Sequence, residues 1–322
     1  MDTQDLPLVV FTLLAQLSVG AFVVLGVLHV VAERRSGPAR VDKLSDPALY
    51  AIGPLMIAAL AVSLAHLGDP LHALYTCENF GRSWLSREIV FGVAFAACAI
   101  AFAIGHHRSW LTPLVRQLFA GLTALLGLAF IFSQAMIYLI PTIPGWDSWA
   151  TPVVFFITTF LLGSLAVGAD FVVVTSVPRM AAHHGGDTTQ LLRQSLRWIS
   201  LASLGLLGAE FVVEPTYALE LSGRGGAAAQ SANLLLFGGG SVFIVEMALV
   251  FLGAAVIVFL LYQLNTSGRH EQGAHGAAAT ATLTDRLTVY AVGSAFTLVL
   301  AAEVLGRILF YTANVRIGFG GF

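Results

Sequence analysis

Apolar residues in this chain are gathered into eight long runs, separated by short polar or glycine- and proline-rich stretches. The runs cover roughly 6–32, 47–67, 86–105, 114–140, 152–177, 191–213, 240–264 and 287–310. A helix needs about 20 apolar residues to cross a hydrocarbon core about 30 Å thick, and each run reaches that length. Barrel strands would show ten-residue segments of alternating polarity, and there are none, so helices are the spanning elements. Turn signals punctuate the runs: Ser36-Gly-Pro38, Gly68-Asp-Pro70, Pro141-Thr-Ile-Pro-Gly145, His183-His-Gly-Gly186 and the Gly/Ala-rich stretch 222–230. The pattern predicts an all-α polytopic membrane protein, a single eight-transmembrane-helix bundle over residues 1–322, with 33–46 and 265–285 as long loops.

Composition narrows the class further. Of 322 residues, 57% are hydrophobic and 11% charged, and the formal net charge is -2. With a mean hydropathy of +0.84, this excludes an ordinary soluble domain, a disordered chain and a nucleic-acid binder. Two cysteines, Cys77 and Cys98, are too few and too far apart for a thiolate metal cluster, and Cys98 reads as a small buried hydrophobe. The N-terminus is acidic (Asp2, Asp5), so the first run reads as a retained helix and not as a cleaved signal. Of the Lys and Arg residues, 11 of 16 flank the odd-numbered loops. The bias places those loops in the cytoplasm and both termini outside it. No internal repeat relates the first four runs to the last four.

Ionisable side chains within the runs are costly in lipid and are candidates for function. They are Glu88, Asp170, Glu210, Glu214, Glu246, Glu303 and Arg307, with His29 and His66. Glu303 and Arg307 are four residues apart on one helix face, the spacing of a self-neutralised structural pair. Glu210 and Glu214 repeat the spacing with like charges. His66 closes the second run and Glu88 opens the third, so the two lie near one membrane boundary. An imidazole can hydrogen-bond a quinone carbonyl and relay a proton, and a neighbouring carboxylate can take the second proton. The competing structural reading is a histidine and a glutamate that merely cap two helices. His29 and His66 sit near opposite membrane faces, so a bis-histidine haem is not expected.

At these residues the chain resembles the membrane anchor subunit of the dimethyl sulfoxide reductase family. The likeness is carried by Leu6-Pro-Leu-Val-Val-Phe-Thr12 with Gln16, by His66-Leu-Gly-Asp-Pro70 and by Ser83-Trp-Leu-Ser-Arg-Glu-Ile89. It continues through Pro144-Gly-Trp-Asp-Ser-Trp-Ala-Thr-Pro-Val-Val-Phe-Phe156, Gly208-Ala-Glu210 and Glu303-Val-Leu-Gly-Arg-Ile-Leu-Phe-Tyr311. The resemblance implies eight spans in a bacterial inner membrane, no haem, and a heterotrimer with an iron–sulfur subunit and a molybdopterin catalytic subunit. It also implies that His66 and Glu88 bind and deprotonate quinol, with Gly68, Pro70 and His72 in the same loop. The subunit would exchange electrons with the quinone pool and leave the substrate half-reaction to its partners.

Where family anchors carry an arginine shortly after that proline, this chain has His72. That departure bears on ligand details and quinone type, while odd-numbered loops that read as longer lean toward the branch containing the membrane subunit of quinone-linked sulfite dehydrogenases. The alternative is a menaquinol-oxidising anchor of a dimethyl sulfoxide or related S/N-oxide reductase. A transporter is a remoter reading, because transporters often show internal repeats.

Overall fold

A computed structural model describes residues 6–36, 38–66, 79–176, 188–238, 241–270 and 277–317. The helices in chain order are α1 (Leu6–Ser36), α2 (Pro38–His66), α3 (Trp84–His107), α4 (Pro113–Ile137), α5 (Ala150–Ser176), α6 (Thr188–Arg224), the short α7 (Gly226–Asn233), α8 (Val242–His270) and α9 (Ala277–Thr312). A π turn, Leu234–Gly238, follows α7, and among the described residues there is no strand. Eight of the helices, all but α7, are long and apolar enough to cross a membrane. The fold is therefore the expected polytopic helical bundle.

α1 and α5 form its centre. Their most apolar windows are 67% and 61% buried, against 28–39% for the other six spans. What lets them meet is glycine. A Cβ on Gly20 would lie 1.8 Å from the Thr159 carbonyl oxygen, and one on Gly163 would lie 2.2 Å from the Gly20 carbonyl carbon. Lipid offers apolar residues as good a solvent as a neighbouring helix does, so close backbone approach through small residues supplies much of the packing. Around this crossing α2 and α4 pack on α1, α3 on α4, α6 and α9 on α5, and α8 on α6 and α9. In each half of the chain the first span thus contacts the second and the fourth, an arrangement that no sequence repeat announced.

Consecutive spans alternate in direction. Starts of α3 and α5 and ends of α4 and α9 share one end of the bundle, here the Tyr138 end. The end of α1, the start of α2, the end of α3 and the start of α4 share the other, the His29 end.

Three boundaries differ from the sequence reading. α6 runs eleven residues past Val213, through Glu214 and Pro215, to Arg224. A proline inside a helix forfeits a hydrogen bond and costs about 3 kcal/mol. Here the extension is held by buried Ala218 and Leu221, and by the Tyr217 hydroxyl donating to the Gly145 carbonyl. The stretch 222–230 then turns only at Gly225 and Gly226, whose φ values of 70° and 55° suit glycine. Residues 33–46 are not a long loop, because α1 ends at Ser36 and α2 begins at Pro38. Nor is most of 265–285, where α8 reaches His270 and α9 begins at Ala277. Charged residues there extend helices beyond the apolar runs.

Candidate functional site

The start of α3 is built by its own motif. The Ser83 hydroxyl caps the helix by accepting from the Ser86 amide at 3.3 Å. The Arg87 guanidinium donates to the Phe80 carbonyl at 3.0 Å and the Gly81 carbonyl at 2.9 Å, and sits 4.2 Å from the centroid of Trp84. Arg87 thus closes the preceding turn on the outside of the helix. The next residue is rotated about 100° around the axis, and Glu88 is accordingly turned inward, only 7% exposed.

Glu88 faces Gln134 of α4. Gln134 is fully buried, its amide nitrogen directed at the Glu88 carboxyl and its amide oxygen without a hydrogen-bond partner among the described residues. A buried amide oxygen left unmade is costly and marks a place where a further polar donor fits. Tyr138 and Tyr311, both within electrostatic range of Glu88, join hydroxyl to hydroxyl at 2.9 Å. Trp146 donates its indole N–H to the Phe310 carbonyl at 2.8 Å and stacks on the Phe310 ring. Phe155 completes this aromatic floor.

His66 is the last residue of α2 and so lies at this same end of the bundle. Its side chain is outside the described residues, as are Gly68, Pro70 and His72. The structure therefore brings the end of α2 and Glu88 to one end of the bundle.

Deeper on the same side lies a second polar group that the residue pattern announced only in part. The Arg307 guanidinium donates to Gln16 Oε1 at 2.9 Å and lies 4.0 Å from the centroid of Phe155. Glu303 instead accepts from the Thr158 hydroxyl at 2.8 Å. Among the described residues no Glu303–Arg307 salt bridge closes within 4 Å, so the expected self-neutralised pair does not form; each side chain reaches a different helix. Glu210, Glu214 and Glu246 each offer an oxygen within 4.8 Å of the others. Glu246 lies against bare backbone, since a Cβ on Gly306 would come 2.2 Å from its Oε1. A cavity of about 60 Å³ is lined by Glu214, Glu246, Glu303, Arg307 and Thr158 among others. Carboxyls at this spacing can pass a proton among themselves or hold a cation. The i, i+4 glutamates were visible in sequence; the arrival of Glu246 from α8 was not.

At the His29 end the polar residues form a separate group. Arg116 bonds Asp42 at 3.2 Å and His29 Nε2 at 3.2 Å, and His106 bonds Asp46 at 2.9 Å. His106 thus joins His29 at the end of the bundle opposite His66.

Eight spans, buried polar side chains between the helices, and a buried carboxyl at the start of α3 define a polytopic integral membrane protein. The chain belongs to the DMSO reductase anchor subunit family (DmsC), whose model matches residues 1–313. It is 32% identical over 170 residues to the anaerobic dimethyl sulfoxide reductase chain YnfH of Escherichia coli (strain K12), covering 51% of this chain and 56% of that one. A second anaerobic dimethyl sulfoxide reductase chain of the same strain is 32% identical over 161 residues, covering 49% and 55%. One of the subunits of the sulfite dehydrogenase of Allochromatium vinosum is 33% identical over 160 residues, covering 45% and 46%. The chain spans about half the length of the curated relatives it matches.

Proposed function

We propose that this chain is the quinone-reactive anchor of a molybdopterin/iron–sulfur oxidoreductase, with Glu88 and His66 at the quinone site. One observation carries the reading: Glu88 is buried at a helix start beside a fully buried amide whose oxygen has no partner among the described residues, at the end of the bundle where α2 places His66. A quinone head group needs a donor for each carbonyl and an acceptor for the protons its quinol releases. Gln134 supplies a hydrogen bond, and His66 and Glu88 exchange the two protons with the head group, giving them when quinone is reduced and taking them when quinol is oxidised, with the electrons passing to or from the iron–sulfur partner; the Tyr138–Tyr311 hydroxyl pair extends the path inward.

An iron–sulfur subunit docks over 68–86 and 141–151, where Phe80, Leu85 and Trp149 are exposed, and a molybdopterin subunit completes a heterotrimer. The protein positions the quinone and moves protons, while the redox groups on its partners carry the electrons. The Lys and Arg bias puts this end, with both termini, outside the cytoplasm of a bacterial inner membrane. Sulfite oxidation is the first reading, with a sulfite dehydrogenase subunit among the relatives; the relatives named for dimethyl sulfoxide reductase support a reductase as the second reading.

The test is purification of the chain from its host in mild detergent, with molybdenum and iron analysis and assays in both directions. Co-purification of both partners with sulfite-to-quinone activity is the expected result. Quinol-to-sulfoxide activity selects the second reading. A chain that purifies alone and metal-free, under conditions preserving other respiratory complexes, overturns both and favours a transporter.

A further inference from the structure

A cavity of about 400 Å³ lies at the His29 end, between the end of α1, the start of α2, the end of α3 and the start of α4. From Arg116 to Ala124 it follows eight residues of α4, a depth of about 12 Å. Small residues on two helices open it: Gly26 on α1, and Ala120, Gly121 and Ala124 on α4. A Cβ added at Gly26 or Gly121 would meet nothing within 4 Å. Phe22 and Phe102, packed edge to face with centroids 5.7 Å apart, are part of the wall. His29, Asp42, His106 and Arg116 gather at the mouth.

Apolar walls with a few convergent polar groups are the build of a small-molecule site, and the volume falls in the usual range of about 300–1,000 Å³. Two features specify the ligand. Among the described side chains at the mouth, Arg116 is paired with Asp42 and His106 is bonded to Asp46. An anionic lipid head group would therefore be placed beside two carboxyls, whereas a neutral hydrogen-bonding head would not be repelled. The aromatic wall favours a flat ring over a bare acyl chain.

We infer that this cavity binds a lipophilic quinone, its ring near His29 and Arg116 and its first isoprenoid units along Gly26 and Gly121. The site lies at the opposite end of the bundle from Glu88. The inference is one of binding and does not rest on the Glu88 reading.

Photolabelling tests it. The full chain, in nanodiscs of defined quinone-free phospholipid, is exposed to an azido-substituted short-tailed quinone, and labelled peptides are mapped. The expected result is label in peptides spanning 22–31 and 116–124, competed by unlabelled quinone and not by added phosphatidylglycerol. Gly121→Phe, which adds a ring to the cavity wall at a position where a Cβ meets nothing within 4 Å, should reduce that label about tenfold and leave label near Glu88 unchanged. Glu88→Gln should do the reverse. Gly26→Phe blocks the cavity from the facing helix and serves if the first variant fails to fold. The inference is overturned by a wild-type map with no label on α1 or α4, by label indifferent to the blocking variants, or by displacement with phospholipid.

Discussion

Two cavities of this bundle differ in every respect that matters for a ligand. The one toward the Tyr138 end has about 60 Å³ and is lined by Glu214, Glu246, Glu303 and Arg307. The one at the His29 end has about 400 Å³, and its polar groups are confined to the mouth. The first has room for protons and water-sized species; the second has room for a ring and part of a tail. The arginines show the same contrast. Arg307 is 3% exposed, held by a neutral amide and an aromatic face. Arg116 is partly exposed and held by a carboxylate. A cation buried without a closed salt bridge is a strong structural commitment. One at a partly exposed mouth is held by a carboxylate and a histidine.

Several substitutions would break or sharpen that contrast. The largest effect is expected from Gly20→Leu, which drives a side chain into the Thr159 carbonyl and separates α1 from α5. Both ends depend on that crossing, so no monodisperse protein should be recovered on size exclusion. Arg307→Met removes the cation from Gln16 and Phe155 and should lower stability by about 2–4 kcal/mol, read from thermal melting in detergent. If stability is unchanged, the Arg307 site is not a structural anchor. Tyr217→Phe removes the donor to the Gly145 carbonyl and should cost about 1 kcal/mol, read from the same melts. Gly306→Ala is the mildest. It crowds only the tip of Glu246, so melting should barely move. An infrared difference spectrum of the carboxyl region on changing pH should shift, and the spectrum should stay as in wild type if Glu246 does not lie against Gly306.

The spans were legible because lipid demands length and apolarity, which are properties of contiguous residues. Their extensions were not. Glu214 and Pro215 interrupt an apolar run but not α6, because Ala218, Leu221 and Tyr217 find partners beyond them. The Ser36-Gly-Pro38 turn signal and the cluster Arg34, Arg35, Arg40 and Lys43 made 33–46 look like a loop, yet helix α2 begins at Pro38, and its Asp42 and Asp46 are paired with Arg116 and His106. The site was legible to the extent that it is local. The Ser83–Ile89 motif carries its own cap and orients Glu88, whereas Gln134 and the two tyrosines join it from α4 and α9. Helical spacing showed that Glu303 and Arg307 share a face. It could not show that Arg307 bonds Gln16, 291 positions away, since contacts between helices leave no mark on the periodicity of either.

The most direct test of a quinone site at Glu88 is Glu88→Gln in the purified complex, assayed with a soluble quinone or quinol analogue and, separately, with an artificial dye that reacts at the catalytic partner. A proton acceptor at the quinone site should contribute about 10²-fold or more. Quinone-linked turnover is expected to fall by that amount while dye-linked turnover and subunit composition are unchanged. Quinone-linked turnover equal to wild type would contradict the assignment.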